Sequence, residues 1–145
     1  MYLVDTNVVS AGAPSRVASA ELIAWMDTQS ALLFLSAVTV AEIEDGIAKL
    51  RREGRTRKSK DLGAWLKTVI HLYGDRILPF DTPTARIAGA LSDRARGQGQ
   101  SPGLGDIIIA ATALQHDLTI LSRNVRHFVP LGVPVLDPFA ALPPT

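Results

Sequence analysis

Tyr2-Leu3-Val4-Asp5-Thr6-Asn7 runs three apolar residues straight into a carboxylate and two further polar side chains. The apolar part is too short for a helix and reads as a buried strand. The same design recurs along the chain. Leu32-Leu33-Phe34-Leu35 is a second apolar run, followed by a predicted helix from about Val38 to Leu50. That helix carries Glu42 in its first turns and an apolar stripe of Ile43, Ile47 and Leu50. Leu118 to Leu121 is a third run, ending in Ser122-Arg123-Asn124. Ile77-Leu78 predicts a very short strand. Val133 to Leu136 predicts a last one, which Pro130, Pro134 and Pro138 restrict to a sheet edge.

Helical signals fill the spaces between these runs. Ser15 predicts a cap for a helix from Arg16 to Asp27, with Val17, Leu22, Ile23 and Met26 as its stripe. Asp61 to Tyr73 presents Leu62, Trp65, Leu66 and Val69 on one side. Thr82 and Pro83 read as a cap followed by proline at the first helical position, opening a helix that stops near Gly97. Asp106 to His116 is a helix so rich in Ile and Ala that it must be buried. Arg51 to Lys60 carries six positive side chains against one acid and reads as a charged break. Gln98 to Gly105 reads as a loop.

Apolar strands alternating with helices predict an α/β fold. The expectation is one domain over residues 1–145, with a mainly parallel sheet of four to five strands and helices on both faces. Right-handed crossovers bring every strand's carboxyl end to one edge, and open α/β sheets bind ligands there. Asp5 and Asn124 follow strands directly. Glu42 and Asp106 sit near the N-termini of helices, which start at the same edge. Four scattered segments thereby become one candidate site.

The bulk numbers exclude several classes. A chain of 145 residues can bury roughly 68–70% of its unfolded surface without staples. There are no cysteines, so neither a disulfide framework nor a thiolate metal site is available. The opening residues show neither a basic stretch nor a long apolar one, and no signal peptide is expected. No apolar stretch approaches the ~20 residues of a membrane span, so a cytoplasmic protein without membrane contact is expected. The net charge of +1 points to no partner.

The chemistry of the site follows from its donor set. Clustered carboxylates repel one another and need a cation to be stable. Oxygen donors without sulfur suit Mg²⁺ or Mn²⁺ rather than zinc or iron–sulfur. Asp5, Glu42 and Asp106 are the candidate ligands of such a cation. Asn124 offers an amide to a water or to the metal's shell. Arg123 and Arg126 lie beside this site as candidates for phosphate contact. His71, His116 and His127 show no ligand spacing, and none is expected at the site. Trp25 and Trp65 are expected in the core.

These segments together resemble the PIN domains, specifically the VapC/FitB-type toxins of type II toxin–antitoxin systems. The resemblance is carried by Leu3-Val4-Asp5-Thr6-Asn7-Val8, by Ser36 to Ile43 with Gly46-Ile47, and by Gly105 to Ala113. Leu118 to Asn124, Phe128 and Gly132 to Pro138 complete it. The resemblance implies a metal-dependent endoribonuclease that hydrolyses RNA phosphodiester bonds, with Asp5, Glu42, Asp106 and Asn124 as its catalytic set. Thr6, Asn7 and Ser122 stand where the family supports its site by hydrogen bonds. It also implies a cognate antitoxin protein, contacting the helices between Val38 and Tyr73, and a homodimer. Two departures matter. The fourth acidic position is Asn124, and His127 stands where many relatives have Asp, so one cation is expected more readily than two.

A haloacid-dehalogenase-like phosphatase would need a second Asp where Asn7 stands. A phosphoacceptor receiver domain would need an acidic pair at the first strand. Neither pattern is present. A degenerate or housekeeping PIN domain that binds RNA or a protein without toxin activity remains the alternative, and Asn124 is the residue that favours it.

Overall fold

The computed structural model describes residues 1–14 and 19–144. Among these residues a five-stranded sheet is built from β1 (Tyr2–Val4), β2 (Leu33–Ser36), β3 (Ile77–Leu78), β4 (Thr119–Leu121) and β5 (Val135–Leu136). The order is β3-β2-β1-β4-β5, and every pairing is parallel. The chain fills one half of the sheet outward from β1, then returns to the other side of β1 with β4. The reversal point is therefore the gap between the carboxyl ends of β1 and β4, where an open α/β sheet leaves a crevice.

Seven helices surround this sheet among the described residues: α1 (Thr6–Val9), α2 (Ala20–Thr28), α3 (Ala37–Arg52), α4 (Thr56–Tyr73), α5 (Thr82–Gly97), α6 (Leu104–His116) and α7 (Val125–Phe128). Successive strand residues point to opposite faces, so each strand feeds two cores. Leu3 and Ile120 pack with Ala88, Leu91 and Ala95 of α5, with α6 from Ile107 to Ala113, and with Phe128. Val4, Leu33, Leu35 and Leu121 pack with α1, α2, Ile43 and Ile47 of α3, and Leu66 and Val69 of α4. Helices thus cover both faces, as the alternating pattern predicts. No helix among the described residues is long and apolar enough to cross a membrane.

Helix boundaries differ from expectation in four places, the first being α6, which begins at Leu104 and takes Gly105 out of the expected loop. Helix α2 begins at Ala20, and its cap is Ser19, whose hydroxyl accepts from Leu22 N–H. The expected start at Ser15, Arg16 and Val17 lies outside the described residues. Helix α5 is capped by Asp81, one residue before Thr82, through a carboxylate that accepts from the main chain and the hydroxyl of Thr84. The basic segment is not a break ten residues long. Helix α3 runs on to Arg52 and α4 begins at Thr56, leaving a three-residue turn with Gly54 at φ 78°. Arg and Lys are good helix formers, so a run of them interrupts a helix only where a glycine allows the turn. Both tryptophans pack as expected. Trp25 is buried and meets Tyr2 edge-on with ring centres 5.7 Å apart, and half-buried Trp65 rests on the same core.

Candidate active site

Strand β1 ends at Val4 and helix α1 begins at Thr6, so Asp5 occupies the only position between them. Its extended backbone (φ −71°, ψ 159°) makes it the cap of α1, with Oδ1 accepting from Thr6 N–H at 2.8 Å. The capping role and the acidic role belong to one side chain. Asp5 N–H donates to Leu121 O at 2.9 Å, which ties it to the end of β4. Ser122, the next residue after β4, is fully buried and donates its hydroxyl to Asp5 Oδ2 at 2.7 Å. That hydroxyl accepts from Asn124 N–H at 2.9 Å. Asn7 bridges both sides. Its amide nitrogen lies 3.3 Å from Asp5 Oδ2 and 3.3 Å from Ser122 Oγ, while its oxygen accepts from Arg123 N–H at 3.1 Å. Thr6, Asn7 and Ser122 thus hold Asp5 across the switch point of the sheet.

Helix α3 follows β2 without a loop, because Ser36 ends the strand and caps the helix through Val38 N–H. Its second turn therefore stands over the same edge and carries Glu42. Thr6 donates its hydroxyl to Glu42 Oε1 at 2.9 Å and lies 3.3 Å from Thr39 Oγ1. Asp106 is the third residue of α6. Its Oδ2 lies 3.0 Å from His127 Nδ1 on α7. A carboxylate only accepts, so Nδ1 is the donor in this contact. Gly105 makes room for Glu42, since a Cβ at that position would stand 3.3 Å from Glu42 Oε2.

A cavity of about 400 Å³ is lined by Asp5, Thr6, Asn7, Glu42, Asp106, Arg123 and Asn124, with Ser10, Ala11 and Phe139 completing its wall. The three carboxylates predicted to meet do face one space. Asn124 also lines it, and Arg123 stacks its guanidinium 3.9 Å above the Phe139 ring. Arg126 lies elsewhere, in a neighbouring cavity that it shares with Asp106 and His127. His127, not expected as a ligand, contacts Asp106 from α7 without lining the acidic cavity. The contact joins residues 21 apart in sequence and depends on where the four-residue helix α7 lands. A single turn has no periodicity to read. Phe139 was missed for the same reason, as nothing local to it indicates a partner at Arg123.

The cavity gathers three carboxylates, Asp5, Glu42 and Asp106, against one guanidinium, that of Arg123. Asp5 has its carboxyl pushed above the ordinary carboxylate value, first by burial; the Ser122 and Thr6 hydrogen bonds act against this, and Asp106 adds to it. Glu42 is open to solvent as a residue, but its carboxyl end forms part of the cavity wall. Loss of water there is the first cause of its raised pKa, opposed by the Thr6 hydroxyl and reinforced by Asp5 and Asp106. Among the described residues the only contact with salt-bridge geometry is that of His127 with Asp106, which is an ion pair only when the imidazole is protonated. Such a donor set fits a hard divalent cation, which would relieve the repulsion. Among the described residues no three acidic or histidine groups close into a complete ligand set.

Known proteins resemble this chain over nearly its whole length. The model of the PIN domain family matches residues 2–129. The toxin FitB of Neisseria gonorrhoeae is 38% identical over 144 residues, covering 96% of this chain and 99% of its own. The VapC ribonuclease Y4jK of Sinorhizobium fredii is 32% identical, covering 96% and 98%. The crystal structure of FitAcB from N. gonorrhoeae superposes with a TM-score of 0.83 at 37% identity, over 96% of this chain and 99% of that one. A DNA-bound VapBC from Salmonella typhimurium, at 19% identity over 94% and 96%, shares the fold with a TM-score of 0.77. With a conserved-length match of this kind, and acidic residues of β1, α3 and α6 lining one cavity, the chain belongs to the PIN-domain family, alongside its FitB and VapC members.

Proposed function

We propose that this chain is a Mg²⁺- or Mn²⁺-dependent endoribonuclease and the toxin half of a toxin–antitoxin pair. The observation that carries the reading is the convergence of Asp5, Glu42 and Asp106 on one cavity, with Asp5 and Glu42 both held above their ordinary pKa. Two similar proteins are named as ribonuclease and toxin. A solved toxin–antitoxin complex from Klebsiella pneumoniae also superposes, with a TM-score of 0.61 at 25% identity over 95% of this chain and 98% of that one.

Asp5 and Asp106 would hold the cation. When bound, a divalent ion supplies an acidified water and compensation for the charge that develops on the phosphoryl oxygens. The chain's own residues supply the rest. Thr6 fixes Oε1 of Glu42 and leaves Oε2 free to hold the ion or to take a proton from the attacking water, a task its raised pKa suits. Ser122 and the Thr6 main chain keep Asp5 in one orientation. His127 does the same for Asp106. Asn124 brings an uncharged amide to the cavity, which favours one cation over two.

The antitoxin is assigned to the side of α3 and α4. A partly apolar groove of about 290 Å³ runs there beside the acidic cavity, lined by Ile43, Ile47, Leu50, Leu62, Trp65 and Lys58, and it shares Thr6 and Glu42 with that cavity. A segment seated in the groove could place a basic side chain over the acids. The homodimer and the cytoplasmic location belong to the same reading on the strength of family likeness. The test is incubation with labelled RNA. Cleavage with Mg²⁺ or Mn²⁺, its loss with EDTA and its loss in Asp5→Asn are expected. A protein that binds RNA under all these conditions and never cuts it would support the degenerate-domain alternative instead.

A further inference from the structure

Seven of the chain's fifteen lysines and arginines fall between Lys49 and Lys60, with Glu53 as the one acid among them. The rest of the chain carries eight cations against thirteen acids, so the small net charge hides a strong local excess. All seven are exposed. They gather where the end of α3 meets the start of α4, around the turn at Gly54. Among the described residues none of them makes a salt bridge. Local structure explains only part of this cluster. Lys49, Arg51 and Arg52 occupy the last turn of α3, where the helix dipole favours positive charge. Arg55, Arg57 and Lys58 stand at the opposite pole, the start of α4, where the dipole disfavours them. That start has no acidic residue in its first turn and no side-chain cap. Lys58 also lines the groove that shares Thr6 and Glu42 with the acidic cavity.

We infer that the turn between α3 and α4 is a second anchor for the RNA substrate, holding phosphates several nucleotides away from the bond that is cut. This rests on the endoribonuclease reading and adds to it a contact surface outside the acidic cavity. Unpaired cations set against a helix dipole lower stability, and a polyanion is the partner that reverses the sign. The choice of RNA over an acidic protein segment follows from what the turn lacks. Residues 51–60 contain no apolar side chain, whereas protein interfaces bury an apolar, often aromatic centre depleted in charge. Sequence-independent attraction to a phosphate chain needs no such centre. The reach is set by α3. From Glu42 to Arg52 the helix climbs about 15 Å, at about 1.5 Å per residue. About four or five nucleotides span that distance at about 3.4 Å each. A short RNA centred on the carboxylates therefore stops before the turn, and a longer one reaches it.

The experiment compares the full-length chain carrying Arg52→Gln, Arg55→Gln and Arg57→Gln together with wild type. A second triple variant, Lys67→Gln, Arg86→Gln and Arg96→Gln, loses the same charge elsewhere and is the control. Glutamine is a good helix former, and thermal melts check that both variants fold. Cut sites are first mapped with wild type and Mn²⁺ on total RNA. One site is then remade in an RNA of about thirty nucleotides and in one trimmed to about three on either side of the cut, inside the reach of the turn. The turn variant should raise KM for the longer RNA several-fold with kcat within about two-fold of wild type, and should cut the trimmed RNA as wild type does. The control should match wild type on both. For binding of the longer RNA in EDTA, the turn variant should show a slope of log K against log salt shallower by about 2. A wild-type KM on the longer RNA, or an equal rise on both RNAs, would overturn the anchor and leave the turn to solvent or to an acidic protein. If wild type cuts no RNA with any divalent ion, the nuclease reading fails by itself. The slope in EDTA then decides the anchor alone, a shallower one supporting it and an unchanged one overturning it.

Discussion

Replacing Gly105 by alanine should separate stability from activity. Gly105 is the second residue of α6 and borders Glu42 rather than bulk solvent. Alanine is favoured over glycine in a helix by up to about 1 kcal/mol, less near the first turn, and part of this comes from restricting the unfolded chain. Against this, the new Cβ would stand 3.3 Å from Glu42 Oε2 and 3.6 Å from its Cδ. The neighbour is the end of a flexible side chain, so it can shift by a few tenths of an ångström, straining its 2.9 Å bond from Thr6. A surface-accessible hydrogen bond of this kind is worth about 0.5–1.5 kcal/mol at most. The net change in stability should lie within about 1 kcal/mol of zero in either direction, a shift in Tm of no more than about 4 °C for a chain of this size. Activity should fall all the same. A 1 Å misplacement of a reacting group can cost about 10²-fold, so a displacement of a few tenths should cost several-fold in kcat. Thermal melting in EDTA and single-turnover RNA cleavage measure the two quantities. Unchanged kcat in a well-folded Gly105→Ala protein would refute the idea that the missing Cβ keeps Glu42 in place.

Three further outcomes are expected. Ser122→Ala removes the 2.7 Å donor to buried Asp5 and leaves Asn124 N–H without its acceptor, so denaturant melts should show a loss of about 1–3 kcal/mol. Asp5 and Glu42 have folded pKa values raised from their ordinary 3.8 and 4.5, so the stability they contribute is full below those values and is lost as pH rises through the raised ones. The Tm of metal-free wild type should therefore fall relative to Asp5→Asn as pH rises above about 4, and parallel pH profiles for the two proteins would contradict this. His127→Ala should lower divalent-ion affinity about 10-fold or more, whereas His127→Asn, whose amide can replace the Nδ1 donor to Asp106, should recover most of it; equal losses in both would remove the hydrogen bond as the cause.

Most of the sheet was legible because each strand is a short apolar run closed by a polar group. Leu3-Val4 ahead of Asp5 and Ile120-Leu121 ahead of Ser122 could not be much else. Their alternate burial on two faces also follows from strand geometry alone. The carboxylates could be brought together because crossovers place strand ends and following helix starts at one edge, a rule of topology that needs no distances. What escaped was short or non-local. Helices α1 and α7 have four residues each, too few for an apolar period. The basic run looked like a break because charge was read as solvation, yet only Gly54 permits the turn between α3 and α4. His127 and Phe139 gain their roles from Asp106 and Arg123, partners fixed by the order of strands and not by neighbours in sequence.

The central claim is that three acids from distant stretches of the chain share one divalent cation. Calorimetric titration of Mn²⁺ into the metal-free protein tests it directly, with Asp5→Asn, Glu42→Gln and Asp106→Asn titrated beside wild type. The account predicts one cation bound per wild-type chain and weaker binding in each variant. Undiminished Mn²⁺ affinity in all three would contradict it.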